Sequence, residues 1–480
     1  MKKKRTDFMN RFLNGSLWIL ASTILQQIVQ FVLLIVLARL LTPSEFGVVT
    51  VSTILVSFFG ITSQLGIPQA LIQKKNLNKI DIRASLTILI LSTFISIMLM
   101  YVFSEVLTSL FSLSELYKII NIVIFTVIIQ AVSSIPDALL QRDLKYKETS
   151  MVESISYTIG YGGIGILLAY MDYGYYSLIY SNLTYSILKL CWLYLLCPFS
   201  LKPTVKVKDL NKVFQLSFGF FITRITSFFS LQLDNIVVGK KLGPEQLGIY
   251  SRLYQIITLP AKVSGMFLDR LLFSSLSRIQ ENKEKIKDIY LFSLSVAGFV
   301  LFPLSIFIYI YANEIIFILL GERWTMAVEP LRIFTISIFF RAAYKIGETI
   351  ANSTGYVYSR IWRQIFYAAS IFVFSLIGSK FGIDGVIVGI NLSIILNFIL
   401  ITQLANKILK VQKYILVKRL VPIAIVSVVF YFFIKAQYIF CLNLINNKYT
   451  LLLIGGLLSI IFISLFFKSI ILPEFKRLKR

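Results

Sequence analysis

The feature that most constrains the fold of this chain is a series of apolar runs, each about 20 residues long. The runs recur from near Ser16 to near Leu472. A run of about this length crosses the roughly 30 Å hydrocarbon core of a bilayer as an α-helix. With 57% hydrophobic and 15% charged residues, the 480-residue chain carries too much apolar surface for a soluble core. We predict an all-α polytopic membrane protein with about 14 transmembrane helices.

The predicted helices, numbered 1 to 14 in chain order, are joined by short loops on both faces. They cover residues 16–38, 46–66, 85–110, 119–140, 151–170, 177–197, 213–238, 247–270, 289–312, 331–351, 364–379, 385–406, 420–437 and 450–472. Such loops leave no room for a soluble catalytic domain, so the helices must carry the function.

Two short strings predict an internal duplication. Leu41-Thr-Pro-Ser-Glu-Phe-Gly47 and Leu242-Gly-Pro-Glu-Gln-Leu-Gly248 share the pattern Leu-x-Pro-x-x-x-Gly, and each lies between two predicted helices. Repeated bundles of membrane helices are typical of transporters that alternate around a central site. We predict two six-helix bundles in pseudo-symmetric repeat, followed by a helix pair. The predicted parts are residues 1–200 (helices 1–6), a cytoplasmic linker at 201–212, residues 213–412 (helices 7–12), and 413–480 (helices 13–14 and a basic cytoplasmic tail).

The basic residues follow a membrane topology rather than the pattern of a nucleic-acid-binding protein. With the N-terminus inside, 31 of the 48 Lys and Arg residues lie in inside segments and 7 lie in outside loops. This bias satisfies the positive-inside rule and places both termini in the cytoplasm. We therefore read the net charge of +25 as a topology signal and expect no nucleic-acid partner.

The residue types needed for enzymatic or metal chemistry are scarce. The chain has no histidine, and its three cysteines show no metal-binding spacing. Acid–base catalysis would favour a histidine or paired carboxylates on a sizeable outside loop. We therefore expect that the protein is not an enzyme and that it has no catalytic residue, no cofactor and no metal.

Four stretches of the sequence are distinctive. They are Val36-Leu-Ala-Arg-Leu-Leu-Thr-Pro-Ser-Glu-Phe-Gly47, Gln64-Leu-Gly-Ile-Pro-Gln-Ala-Leu-Ile-Gln73, Gln141-Arg-Asp-Leu-Lys-Tyr146, and Leu233-Asp-Asn-Ile-Val-Val-Gly239 running into residues 242–250. With the predicted architecture, they resemble the Wzx-like oligosaccharide and polysaccharide flippases of the multidrug/oligosaccharidyl-lipid/polysaccharide exporter superfamily. The resemblance is greatest to the colanic acid and teichuronic acid exporters, and it covers essentially the whole chain.

This resemblance implies a function. The chain would flip an undecaprenyl-pyrophosphate-linked oligosaccharide repeat unit across the bacterial inner membrane by alternating access, for the biosynthesis of surface polysaccharide, lipopolysaccharide or O-antigen. The implied partners are the lipid-linked oligosaccharide, membrane lipids, a polysaccharide polymerase, a chain-length regulator, and H⁺ or Na⁺ as a coupling ion.

Two other functions remain open. One is a cation-coupled multidrug or organic-ion exporter of the same superfamily, which generally has twelve spans and binds cationic drugs. Helices 13–14 and the intramembrane cations of this chain argue against it. The other is a membrane-embedded polysaccharide polymerase or ligase, which the missing histidine and missing outside domain disfavour.

A pyrophosphate headgroup requires a cationic, hydrated cavity, so charges inside the predicted spans mark candidate sites. On helix 10, Arg341, Lys345 and Glu348 are spaced i, i+4 and i+7 along one stripe, with Arg341 near the midplane. In one interpretation Arg341 and Lys345 bind phosphate and Glu348 positions Lys345. In the other, the three residues form an ion-pair network that only fixes neighbouring helices.

Helices 7 and 8 add four candidate residues. Arg224 lies near the midplane of helix 7 and is the next predicted phosphate ligand, while Asp234 falls on a different face. Asp234 either titrates during proton or sodium coupling or is a fixed partner for a cation on a neighbouring helix. On helix 8, Lys262 at mid-depth and Arg252 near the outside are further candidates, although an outer arginine also suits an interface anchor.

Helix 1 carries an amide face that includes Gln26 and Gln30, followed by Arg39 at its outer end. Amides bind sugar hydroxyls, but they also join membrane helices to one another. The same two interpretations apply to Asn182 and Lys189 on helix 6.

Overall fold

A computed structural model describes residues 2–111, 113, 115–199, 202–204, 206–278, 282–444 and 447–478. Within these ranges the regular secondary structure is helical, which confirms the predicted all-α class. The side chains of the basic residues 2–5 and of the tail at 473–480 lie outside the described residues.

The chain divides into two compact units. Unit 1 comprises residues 1–232 and 243–248, and unit 2 comprises residues 233–242 and 249–480. The helices of unit 1 are α1 (Lys2–Leu40), α2 (Pro43–Gln64), α3 (Ile67–Gln73), α4 (Lys79–Val102), α5 (Ser104–Phe111), α6 (Leu116–Arg142), α7 (Tyr146–Tyr157), α8 (Ile166–Tyr170), α9 (Tyr176–Leu196) and part of α10 (Val207–Arg278). The rest of α10 belongs to unit 2, so the units divide within a helix, whereas the predicted bundles divide at a linker.

Unit 2 continues with eight further helices. They are α11 (Lys283–Ile310), α12 (Ala312–Leu319), α13 (Val328–Phe334), α14 (Ser337–Ser353), α15 (Val357–Gly378), α16 (Gly382–Leu409), α17 (Lys413–Leu444) and α18 (Lys448–Leu478). α14 packs between α11 and α16, and α17 and α18 pack on each other and on α11. Phe299, Ile423 and Ile471 form the buried contact of these last three helices.

Ten helical ranges among the described residues are long and apolar enough to cross a membrane. Two of them, residues 208–262 and 359–409, hold 55 and 51 residues. Ranges of this length suffice for two crossings of about 20 residues each. The multi-pass architecture is therefore clear, and the count of fourteen spans stays a prediction.

The two repeated strings occupy equivalent breaks in the helices. Thr42 begins α2 with a capping box: its hydroxyl accepts the Glu45 backbone N–H, while the Glu45 carboxylate accepts the Thr42 backbone N–H at 2.7 Å. Pro43 fits the first helical turn because it has no N–H to leave unpaired. In the second string the break is a single residue, Gly243 (φ 83°, ψ 179°), within an otherwise continuous α10.

Helix α6 is the centre of unit 1, where it packs against α2, α3, α4 and α9. Its small residues Ala131 and Ala138 are buried with Ile67 and Leu89 in one core cluster. Close approach of helices over small residues is the usual source of stability in membrane bundles, because lipid provides little hydrophobic drive between helices.

A π-helical segment joins α7 to α8. It covers Thr158–Gly165, has the sequence TIGYGGIG, and was not predicted. Gly160 allows α9 to approach, since an added Cβ would lie 2.9 Å from both the Cβ and the backbone nitrogen of Tyr185. The segment therefore positions Tyr185, whose ring meets those of Tyr157 and Tyr161 edge-on or tilted.

Candidate functional site: a polar cavity in unit 1 and a buried arginine in unit 2

Unit 1 contains a polar cavity of about 320 Å³. One face of α6 provides much of its wall, because residues 130, 133, 134, 137, 138 and 141 repeat at helical spacing. The complete lining is Gln64, Pro68, Gln69, Ile72, Gln130, Ser133, Ser134, Asp137, Ala138, Gln141, Tyr185, Ser186, Lys189 and Arg224. Most of these side chains are polar, so the cavity suits a hydrated or hydroxylated ligand.

Arg224 contributes a partly exposed guanidinium to this cavity. Its Nη1 donates to Oε1 of Gln64 at 2.7 Å. Among the residues that the structure describes it has no carboxylate within ion-pair distance. A guanidinium held by a neutral amide keeps its charge available for an anion.

Lys189 is neutralised within its own cluster. Its Nζ lies 2.6 Å from Oε2 of Glu153 and 3.4 Å from Oδ2 of Asp137. The Tyr185 hydroxyl donates to the other oxygen of Glu153. Because two carboxylates face one ammonium, Lys189 is a structural cation more than a free anion ligand.

The glutamines of α6 are oriented by their neighbours. Gln141 donates its side-chain N–H to Oδ1 of Asp137 at 3.0 Å. Gln130 donates to Oγ of Ser186 at 3.2 Å and to Oδ1 of Asn182 at 3.4 Å. Ser186 must accept this bond, since its own proton goes to the backbone carbonyl of Asn182. Both amide nitrogens thus donate to protein groups, and among the described residues neither amide oxygen accepts a hydrogen bond.

Arg341 of α14 is buried in unit 2, with 5% of its surface exposed. Its guanidinium lies 4.8 Å from the ring centre of Tyr254 and 5.6 Å from that of Phe334. Its Nε donates to Oγ of Ser337 at 3.2 Å, while Nη2 meets no acceptor among the described residues. Cation–π contacts of this kind stabilise a desolvated guanidinium.

Asp234 lies in the same region of unit 2 and is 6% exposed. The Tyr250 hydroxyl donates to its Oδ2 at 2.6 Å, and the Asn235 backbone N–H donates to its Oδ1 at 2.8 Å. Arg341 is close enough to attract this carboxylate. The arrangement favours a fixed counter-charge for Arg341, the second interpretation from the sequence.

The other charged residues of α10 and α14 are less enclosed. Lys345 is half-buried, and its charge repels that of the exposed Lys262. Glu348 lies 3.5 Å from Nε of Arg360, and its predicted interaction with Lys345 stays a prediction. Arg252 is half-buried in unit 2.

The predicted residues of helix 1 do not line the cavity. Gln26 donates to Oγ of Ser154 at 3.4 Å, and Gln30 accepts from Gln27 at 3.1 Å, so both amides join protein groups. Arg39 is exposed at the end of α1.

The structure thus groups the predicted residues by unit. In unit 1 it places Arg224 in the cavity, and in unit 2 it brings Arg341 near Asp234 and Lys345 near Lys262. The acidic members of the Lys189 cluster were missed. Asp137 and Glu153 lie inside predicted spans 4 and 5, so the cost of a charge in the membrane was the signal that could have revealed them.

These features define a multi-pass helical membrane protein with charged and polar groups enclosed within its helical units. The chain belongs to the family described as polysaccharide biosynthesis protein, whose model matches residues 36–329.

Curated relatives agree with this assignment, and a solved structure shares the fold. The chain is 24% identical to the teichuronic acid biosynthesis protein TuaB of Bacillus subtilis, over 72% of each chain. It is 20% identical to the lipopolysaccharide biosynthesis protein WzxC of Escherichia coli, over 71% of this chain and 69% of that one. The lipid II flippase MurJ in an inward closed conformation shares the fold, with a TM-score of 0.75 and 16% identity over 94% of this chain and 99% of that chain.

Proposed function

We propose that the protein flips an undecaprenyl-pyrophosphate-linked oligosaccharide across the bacterial inner membrane by alternating access, for surface polysaccharide biosynthesis. Membership of the polysaccharide biosynthesis family supports this function, as do relatives named for teichuronic acid and lipopolysaccharide biosynthesis. It is a transport function without a chemical step, so the protein acts as a transporter rather than an enzyme.

One observation carries the proposal: Arg224 presents its guanidinium to a polar cavity with a neutral amide as partner. A pyrophosphate needs such a cation in a hydrated space, because an anion cannot enter hydrocarbon unaided. A cationic drug would be repelled at the same position. Arg224 therefore favours an anionic cargo over the cargo of a multidrug exporter.

We assign the remaining predicted residues secondary roles in binding the cargo or a role in supporting the helices. Lys262 and Lys345 are secondary anion ligands, because their neighbouring positive charges attract the same anion. Arg341 supports the helices of unit 2 together with Asp234, since both are buried and close to each other. Arg252, Arg39, Gln26 and Gln30 remain proposed contacts for the headgroup or sugar. A polymerase, a chain-length regulator and a coupling H⁺ or Na⁺ remain proposed partners.

The test is complementation of a bacterial strain that lacks its own flippase. Arg224→Ala should abolish surface polysaccharide while the amount of protein in the inner membrane stays normal, and Arg224→Lys should restore part of the polysaccharide. Arg323→Ala, at an exposed arginine, is the matched control and should leave polysaccharide unchanged. Full polysaccharide with Arg224→Ala would exclude this arginine as the anion ligand.

The proposed topology has its own test, in a variant whose three cysteines are replaced by serine. Asn76→Cys lies in a predicted inside loop and Lys118→Cys in a predicted outside one. A membrane-impermeant maleimide added to whole cells should label Lys118→Cys and label Asn76→Cys only after the membrane is opened. The reverse pattern would contradict cytoplasmic termini.

A further inference from the structure

The lining of the cavity of unit 1 carries charges of both signs. Arg224 supplies a positive charge, and Asp137 supplies a negative one. Lys189, the other cation of the lining, faces two carboxylates, Asp137 and Glu153. A phosphate is therefore favoured beside Arg224 and disfavoured beside Asp137.

Several groups in the cavity lining can accept hydrogen bonds from a ligand. The amide nitrogens of Gln130 and Gln141 already donate to protein groups, as the contacts with Ser186 and Asp137 show. The Oε1 atom of Gln69 is buried and receives no hydrogen bond from any described residue. A buried acceptor without a donor costs about 1–3 kcal/mol, so a ligand that brings donors is stabilised there.

A sugar is the ligand class that meets these conditions. It carries several hydroxyl groups, each able to donate, and no positive charge that would be repelled by Lys189 and Arg224. The volume of about 320 Å³ lies within the usual range for small-molecule sites, roughly 300–1,000 Å³. Tyr185 adds an aromatic ring to the lining, against which the apolar face of a pyranose can pack.

We propose that the cavity of unit 1 is a sugar subsite, in which the amide oxygens of Gln69, Gln130 and Gln141 and the carboxylate of Asp137 accept hydrogen bonds from hydroxyl groups of the oligosaccharide. This inference rests on the proposed function and assigns the sugar end of its cargo to named residues. The phosphate end belongs to Arg224.

The test uses cysteine protection in the full chain, with Cys191, Cys197 and Cys441 replaced by serine. Gln69→Cys and Gln64→Cys are purified separately in lipid nanodiscs and alkylated with a maleimide. Gln64→Cys keeps Arg224 and reports on its surroundings, because Gln64 lines the cavity and accepts a hydrogen bond from the Arg224 guanidinium. Three conditions are compared: no added lipid, undecaprenyl pyrophosphate, and the lipid-linked oligosaccharide extracted from a strain in which this gene is deleted. Gln141→Cys replaces Gln69→Cys if the latter fails to fold. Asn76→Cys, in an exposed loop, is the control that no lipid should protect.

The sugar subsite predicts that the oligosaccharide-bearing lipid slows alkylation of Gln69→Cys about tenfold when its concentration is about ten times the dissociation constant. Undecaprenyl pyrophosphate should leave Gln69→Cys unprotected, while both lipids protect Gln64→Cys beside Arg224. Equal protection of Gln69→Cys by both lipids, or by neither while Gln64→Cys is protected, would overturn the sugar subsite and leave the proposed function standing. Absence of protection at both positions with both lipids would overturn the proposed function as well.

Discussion

Gly47 and Gly248 each lie against the proline of the other's string, in a reciprocal contact within unit 1. A Cβ added at Gly47 would overlap the carbonyl oxygen of Pro244, and a Cβ added at Gly248 would overlap the carbonyl oxygen of Pro43. The contact is thus made by the Pro and the Gly that the two strings share. This explains in physical terms why the two strings agree at these positions.

The first prediction concerns this contact. Gly47→Ala and Gly248→Ala should each lower the free energy of unfolding by about 1–3 kcal/mol, because the added methyl group forces two backbones apart. The measurement is the thermal unfolding temperature of the detergent-solubilised protein, together with its amount in the membrane. Gly219→Ala is the control, since a Cβ there meets no atom within 4 Å. An unchanged unfolding temperature for both contact variants would mean that the strings do not hold this contact in the membrane.

The capping box at the start of α2 gives the second prediction. Thr42→Ala removes the hydroxyl that accepts the Glu45 N–H and should cost about 1 kcal/mol. Thr53→Ala is the comparison, since the Thr53 hydroxyl donates to a carbonyl one turn earlier in the same helix and caps nothing. The same thermal assay checks both. Equal effects of the two substitutions would argue against a capping role for Thr42.

The third prediction concerns the Lys189 cluster. Lys189→Met leaves Asp137 and Glu153 without their cation and should destabilise unit 1 by about 3–5 kcal/mol, seen as loss of protein from the membrane. Adding Glu153→Gln should restore part of the protein, because one uncompensated charge is then gone. The double-mutant cycle of these two positions measures the coupling. If the second substitution makes the loss larger, the cluster is not held by the ion pair.

The fourth prediction separates structure from transport at Arg341. Arg341→Met removes the counter-charge of Asp234 and should reduce the amount of protein, and Asp234→Asn in the same chain should restore it. Surface polysaccharide is scored in parallel with protein amount. If polysaccharide is lost at normal protein levels in Arg341→Met, and Arg341→Lys restores it, then Arg341 handles the anion directly, the first interpretation from the sequence.

The helices could be predicted from the sequence because apolar length is a local property. Runs of about 20 apolar residues located the helices, and the string around Gly243 located a break in α10. The π-helical segment at Thr158–Gly165 was not predicted, because the number of apolar residues in a span does not distinguish a π-helix from an α-helix. Four glycines in eight residues were the available signal.

The site was harder to predict, because its contacts join residues that are distant in the chain. Arg224 could be named from its charge within a span, but its partner Gln64 lies 160 residues earlier. Helical spacing put Glu348 on one stripe with Lys345, but it could not show that Glu348 also lies 3.5 Å from Nε of Arg360, at the start of the next helix. Spacing shows which residues share a stripe, and it cannot show which neighbouring helix that stripe faces.

The π-helical segment between α7 and α8 means that this span is not one rigid rod. Each wide turn holds one residue more than an α-turn, so the residues after Gly165 are out of register with those before Thr158. The side chains of Ile166–Tyr170 therefore point in other directions than a continuous α-helix would give them, and they face other neighbours than the period of an α-helix predicts.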